Sequence, residues 1–85
     1  MEYKNLKILI IDDVQDNLIT LSALIRESFT SAKVLSALNG SDGINIAKKE
    51  NPDMILLDIL MPGMDGYKVC KILKRILNDI CYLRN

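Results

Sequence analysis

The sequence predicts an α/β domain built on a parallel sheet, and three observations carry that prediction. Short apolar runs alternate with stretches of helical periodicity, the connections between them are short, and two of the runs end in carboxylates. Alternating strands and helices with short connections imply parallel strands joined by right-handed crossovers.

The first run, Leu6–Ile11, is apolar and mostly β-branched, and reads as a strand buried on both faces after Lys7. It ends in Asp12-Asp13. From Gln15 to Phe29 the apolar positions Leu18, Leu21, Ala23, Leu24, Ile25 and Phe29 recur at helical spacing. Asp12 or Asp13 is expected to cap this helix, although no Glu or Gln follows to close a capping box. Ser31-Ala32-Lys33 reads as a break and Val34–Leu38 as a short second strand. Asn39-Gly40 is a turn signal. Ser41–Glu50 suits a short amphipathic helix with Ser41 or Asp42 near its N-cap, and Asn51-Pro52-Asp53 stops it.

Met54–Leu57 is the third strand, with Asp58 at its end, and a turn containing Pro62-Gly63 and Asp65-Gly66 follows. Gly66–Asn78 is a third amphipathic helix. Val69, Cys70, Ile72, Leu73, Ile76 and Leu77 form its apolar side, and Lys68, Lys71, Lys74 and Arg75 a solvated basic one. Ile80–Leu83 can begin a fourth strand. The order is thus β-α-β-α-β-α plus a short fourth strand.

Eighty-five residues allow a single domain, 1–85. A chain of this size buries only about 60–65% of its unfolded surface, so marginal stability is expected. Eleven basic residues balance eleven acidic ones, which leaves no electrostatic case for binding nucleic acid or a membrane. There is no His, so the commonest general base and metal ligand is missing. Cys70 and Cys81 lack zinc spacing and are too few for a disulfide framework. They read as small buried hydrophobes suited to a reducing compartment. No apolar run approaches the ~18 residues of a membrane span, and Ile8–Ile11 is too short for a signal peptide. A cytoplasmic location is the expectation.

The chemistry lies in the carboxylates. If the first and third strands are parallel neighbours, Asp12, Asp13 and Asp58 reach one sheet edge, where open α/β sheets place ligands. Three carboxylates together repel one another, and a hard divalent cation such as Mg²⁺ relieves this. A carboxylate beside such an ion can also act as a nucleophile toward phosphorus. The alternative is structural: an Asp at a strand-to-helix junction is often a cap, and Asp65-Gly66 a turn.

Lys7–Asp13 (Lys-Ile-Leu-Ile-Ile-Asp-Asp), followed by Pro52–Gly66 (Pro-Asp-Met-Ile-Leu-Leu-Asp-Ile-Leu-Met-Pro-Gly-Met-Asp-Gly), resembles the receiver domain of two-component response regulators. Asn39-Gly40 and its helix fit the same pattern, and the resemblance covers residues 5 to 77. It implies a flavodoxin-like sheet of strand order 2-1-3-4-5. The implied function is a phosphorelay module that takes a phosphoryl group from a histidine kinase or phosphotransfer protein. It is not an enzyme apart from its own phosphorylation and dephosphorylation chemistry. By this resemblance Asp58 is the phospho-acceptor. Asp13 binds Mg²⁺ directly, Asp12 acts largely through metal-bound water, and the Leu60 carbonyl completes the set. Pro62 and Gly63 shape the loop beside the site, and Asp65-Gly66 starts the third helix.

The sequence departs from the family in its last third. Members run to about 120 residues, within the usual domain range. The family's fourth strand ends in a Thr or Ser that contacts the phosphoryl group, and its fifth in a Lys that pairs with it. Neither has a counterpart here. The chain is therefore expected to be the N-terminal portion of a receiver domain, with the fourth strand incomplete and the fifth strand and last two helices absent. Phosphoryl uptake should be weakened, since the hydroxyl and the cation that stabilise the transferred group are missing. Met54–Leu57 would become an edge or be covered only by a stub, and an apolar edge invites self-association. Two other functions compete: a non-phosphorylated interaction module or inactive fragment, and a metal-dependent phosphohydrolase. The latter class uses a spaced Asp-x-Asp after its first strand, whereas Asp12 and Asp13 are adjacent.

Overall fold

The computed structural model describes residues 6–58, 66–77 and 80–84. The elements run β1 (Lys7–Ile11), α1 (Gln15–Ser28), β2 (Lys33–Ala37), α2 (Gly40–Glu50), β3 (Met54–Asp58), α3 (Gly66–Leu77) and β4 (Ile80–Arg84). The strands form one sheet of order β2-β1-β3-β4, and every pairing is parallel.

Strand alternation sorts the apolar residues onto two faces. Leu9, Ile11, Ala37, Ile55 and Leu57 point to one side, where α2 and α3 cover them with Ala47, Val69, Cys70 and Leu73. Ile8 and Ile10 point to the other, where α1 supplies Leu18 and the half-buried Leu21 and Ile25. Two helices thus cover one face and α1 the other. Ile8–Ile11 in β1 are buried without exception, as expected of a strand with neighbours and helices on all sides.

Several expectations need correcting. β3 is not an edge: it lies between β1 and β4, and β4 pairs along its whole length, from Met54↔Ile80 to Asp58↔Arg84. Among the described strands the edges are β2 and β4. β2 starts at Lys33 rather than Val34, because Lys33 N–H donates to the Leu6 carbonyl at 2.8 Å. In α1, Ala23 and Leu24 face solvent, Leu24 being 54% exposed. Leu24 stands six residues from Leu18, roughly 120° round the helix, and α1 packs on the sheet through a narrower stripe. Ile72 of α3 is likewise exposed at 37%. Asn78, the last residue expected of the third helix, lies outside the described residues.

The caps also differ from expectation. The N-cap of α2 is Asn39, not Ser41 or Asp42. Asp42 N–H donates to Asn39 Oδ1 at 2.8 Å, and Asn39 Nδ2 donates back to Asp42 Oδ2 at 3.1 Å. Asp42 thus bonds the side-chain amide of Asn39, whereas the Glu or Gln of a capping box accepts from the backbone N–H of the cap residue. The helix ends at Asn51 in the left-handed region, φ 54°, a conformation that Asn tolerates better than most residues. The N-cap of α1 is Val14, which offers no side-chain bond.

At the end of the sheet opposite Asp58, Glu50 accepts from Lys33 Nζ at 3.4 Å, and Lys7 Nζ stands 3.7 Å away. The hydrogen bond and charge of Lys33, aided by Lys7, hold the Glu50 carboxyl below its usual range. Lys7 and Asp53 also exchange main-chain and carboxylate bonds. These contacts tie the start of β1 to the end of α2 and the start of β3.

Gly43 lets α2 lie close against β1. A Cβ at this position would meet Ile11 Cγ1 at 2.7 Å, and Ile11 Cδ1 closer still. Gly43→Ala should therefore destabilise the fold although Ala is the better helix former. Overpacking costs about 1–3 kcal/mol, and the helix preference returns only ~1 kcal/mol. A net loss of about 1 kcal/mol lowers Tm by roughly 4–8 °C in a domain of this size, a shift that a thermal melt followed by circular dichroism will show.

Candidate phosphoryl and metal site

The site forms because β1 and β3 are neighbours although far apart in sequence. Ile11 stands opposite Leu57, so Asp12 follows β1 beside the Asp58 that ends β3. Parallel neighbours lie about 4.8 Å apart, close enough for adjoining carboxylates to share an ion. Carboxylate oxygens of Asp12, Asp13 and Asp58 all lie within 4.8 Å of one another. The sequence-predicted trio is therefore assembled at the C-terminal edge of the sheet.

The three carboxylates sit in different surroundings. Asp12 is fully buried and Asp58 is 7% exposed, while Asp13 is exposed. Asp12 N–H donates to the Ala37 carbonyl at 3.1 Å, which fastens it to the end of β2. Its Oδ1 accepts from Val14 N–H at 3.0 Å, and its Oδ2 from Asn17 Nδ2 at 3.2 Å. Asp12 thus binds the main chain two residues on, as Asp does in turns, and takes a second bond from the first turn of α1. That is its link to the helix, in place of the N-cap expected for it. Asn17 escapes a reading of the sequence: it is one polar residue in a mixed first turn, and only its inward side of α1 reveals its role.

The donor set fits a small hard cation. All three groups are carboxylates, which Mg²⁺ prefers over nitrogen or sulfur ligands, and it commonly takes a few of them together with waters and a phosphate oxygen. Two of the three are withdrawn from solvent, which strengthens their pull on an ion. The remaining predicted ligand, the Leu60 carbonyl, lies outside the described residues, as do Pro62, Gly63 and Asp65. On β4, Arg84 occupies the register position beside Asp58.

Comparison with known proteins gives a consistent result. A family model described as response regulator receiver domain matches residues 8–81. Protein PilH of Pseudomonas aeruginosa is 38% identical over 69 residues, 81% of this chain and 55% of PilH. Sporulation initiation phosphotransferase F of Bacillus subtilis is 38% identical over 76 residues, 89% of this chain and 60% of the relative. The chain thus spans little more than half the length of these relatives. Among solved structures, the signal receiver domain of a DNA-binding response regulator from Colwellia psychrerythraea superposes with a TM-score of 0.85 at 30% identity. That match covers 93% of this chain and 67% of the other. With its β2-β1-β3-β4 parallel sheet and three converging aspartates, the chain belongs to the receiver-domain family of two-component response regulators.

Proposed function

We propose that this chain accepts a phosphoryl group on Asp58, with Mg²⁺ held by Asp12, Asp13, Asp58 and the Leu60 carbonyl, from a histidine kinase or phosphotransfer protein. The observation that carries this reading is the convergence of the three aspartates within 4.8 Å. The phosphotransfer named in the Bacillus relative supports the reaction class. Receiver domains generally bind Mg²⁺ through such acids and are phospho-accepting signalling domains.

Asp58 is suited to the nucleophile's role by its place at the end of β3, a strand with neighbours on both sides on which Asp58 itself pairs with Arg84 of β4. A carboxylate oxygen of Asp58 forms the new P–O bond while the phosphorus–donor bond breaks, and the bond's electron pair leaves with the donor. Asp12 stays on the main chain of Val14 and the amide of Asn17, so it holds the start of α1 beside the reacting group. Asp13, exposed at the rim, offers its carboxylate from the solvent side. Mg²⁺, when bound, offsets negative charge on the transferring group.

Incubating the chain with a small acyl phosphate should test this. With Mg²⁺, intact-mass spectrometry should show the addition of one phosphoryl group, lost again when the metal is chelated first. Unchanged mass in the presence of Mg²⁺, alongside a positive-control receiver, would refute the assignment and leave an interaction-only module.

A further inference from the structure

The strongest unassigned feature is the open edge of β2. Among the described residues β2 pairs with β1 alone. Lys33 N–H and the Ala37 carbonyl bond inward, to Leu6 and Asp12. Backbone alternation therefore turns the N–H and C=O groups of Val34 and Ser36 outward, and Leu38 stands in the bend that follows the strand. This edge lies in a groove of about 560 Å³ with α1 residues on one wall and α2 residues on the other. Apolar side chains stand exposed there: Ile19 at 61% and Leu38 at 46%.

We propose that the edge pairs with the β2 of a second copy, antiparallel about a two-fold axis through Ser36, giving a continuous eight-stranded sheet. The surface is self-complementary at three levels. On the strand, Ser36 meets its own copy, and Val34 meets Leu38 of the partner subunit. The main-chain groups of Ser36 face outward, so that pair can exchange both hydrogen bonds, while Leu38 stands in the bend after the strand and meets Val34 through its exposed side chain. On α1, the groove-lining residues Gln15, Ile19, Ser22 and Arg26 pair about a centre between Ile19 and Ser22. Arg26 then faces Gln15 of the partner subunit, and Ile19 faces Ser22.

On α2, Asp42, Asn45 and Ile46 line the groove, and Lys49 continues their helical stripe. The same axis sets Asp42 against Lys49 of the partner subunit, twice over, and both residues are exposed. This charge complementarity selects a second copy over an arbitrary peptide. The spacings along the three elements are also similar. The α1 and α2 centres each lie about 8 Å below the helix start at 1.5 Å per residue. Ser36 lies two residues, roughly 7 Å, below Leu38. Because α1 and α2 both pack on β1 and β2, each should stand about two strand spacings, roughly 10 Å, from its own copy. That is the ordinary distance for packed helices.

Sedimentation equilibrium of the full chain tests the proposal. A reversible monomer–dimer equilibrium is expected. Lys49→Glu places like charges together in two places and should weaken it roughly tenfold. Asp42→Lys combined with Lys49→Glu should restore it, and Ile19→Lys should abolish it. Circular dichroism will confirm that the fold is intact, Asp42→Lys giving up the side-chain bond to Asn39 Nδ2 but keeping the backbone N–H bond to Asn39 Oδ1 that caps α2. A chain that stays monomeric into the hundreds of micromolar, or a dimer indifferent to Lys49→Glu and Ile19→Lys, overturns the proposal. Cross-linking gives an independent reading. Directly opposed, hydrogen-bonded residues have Cα atoms about 5.5 Å apart, inside disulfide range. Ser36→Cys should therefore oxidise to a dimer linked Cys to Cys at position 36 by peptide mapping, and its failure to do so counts equally against this register.

Discussion

Asp58→Asn leaves the chain unable to take up a phosphoryl group, with no mass increase after treatment with acyl phosphate and Mg²⁺. The substitution keeps size and shape and leaves an amide where a carboxylate oxygen must attack phosphorus. Asp58 is only 7% exposed at the end of an interior strand, and no other described carboxylate ends a strand at this edge except Asp12. Asp12 already accepts bonds on both of its oxygens, from Val14 N–H and the Asn17 amide, so it is poorly placed to substitute as acceptor. Asp13→Asn should behave differently. It keeps the acceptor and removes one hard ligand, so uptake falls but recovers partly as the Mg²⁺ concentration rises. Asp58→Asn does not recover at any concentration. Label retained in Asp58→Asn would move the acceptor elsewhere and dissolve the assignment.

Ile55→Ala should remove a large share of the fold's stability, about 2–5 kcal/mol. Ile55 has no exposed surface. It stands on the face covered by α2 and α3, among Leu9, Leu57 and the α3 residues. Truncating such a side chain costs about 2–5 kcal/mol, part transfer free energy and part cavity. An ordinary domain of this length has roughly 4–13 kcal/mol in total. Urea unfolding should show the midpoint falling with little change in slope. The same truncation at Ile19, 61% exposed, should change monomer stability by less than about 0.5 kcal/mol. Similar costs at both positions would contradict the layer assignment.

Much of this architecture was legible in the residues themselves. The runs ending in Asp12 and Asp58, and the helical spacing between them, specified the alternation and hence parallel pairing. Parallel pairing of β1 with β3 is enough to bring Asp12, Asp13 and Asp58 together, so the site followed from strand order. What stayed hidden depends on contacts between distant segments. Asn39 caps α2 because its backbone is extended there, which the Asn-Gly signal did not separate from a simple turn. Leu24 looked like core because its spacing fits a broad stripe, yet the sheet receives only the Leu18–Leu21–Ile25 side of α1. β4 looked like a stub because its sequence has few residues, but five residues span all of β3 and make that strand interior.

The interior position of β1 and β3 has a consequence for how the site behaves in time. Edge strands open by local fluctuation at a fraction of the global unfolding free energy, whereas central strands exchange their amide hydrogens only when the whole unit unfolds. Both main-chain segments that carry the aspartates are central, with β2 and β4 outside them. Fraying at the outer ends of either margin therefore leaves β1 and β3 side by side, and reaches the acids only where β2 releases the Asp12 N–H bond to the Ala37 carbonyl or β4 releases Arg84 from beside Asp58. The edges can rearrange, or meet another molecule, while the acids at the centre keep the geometry on which ion binding depends.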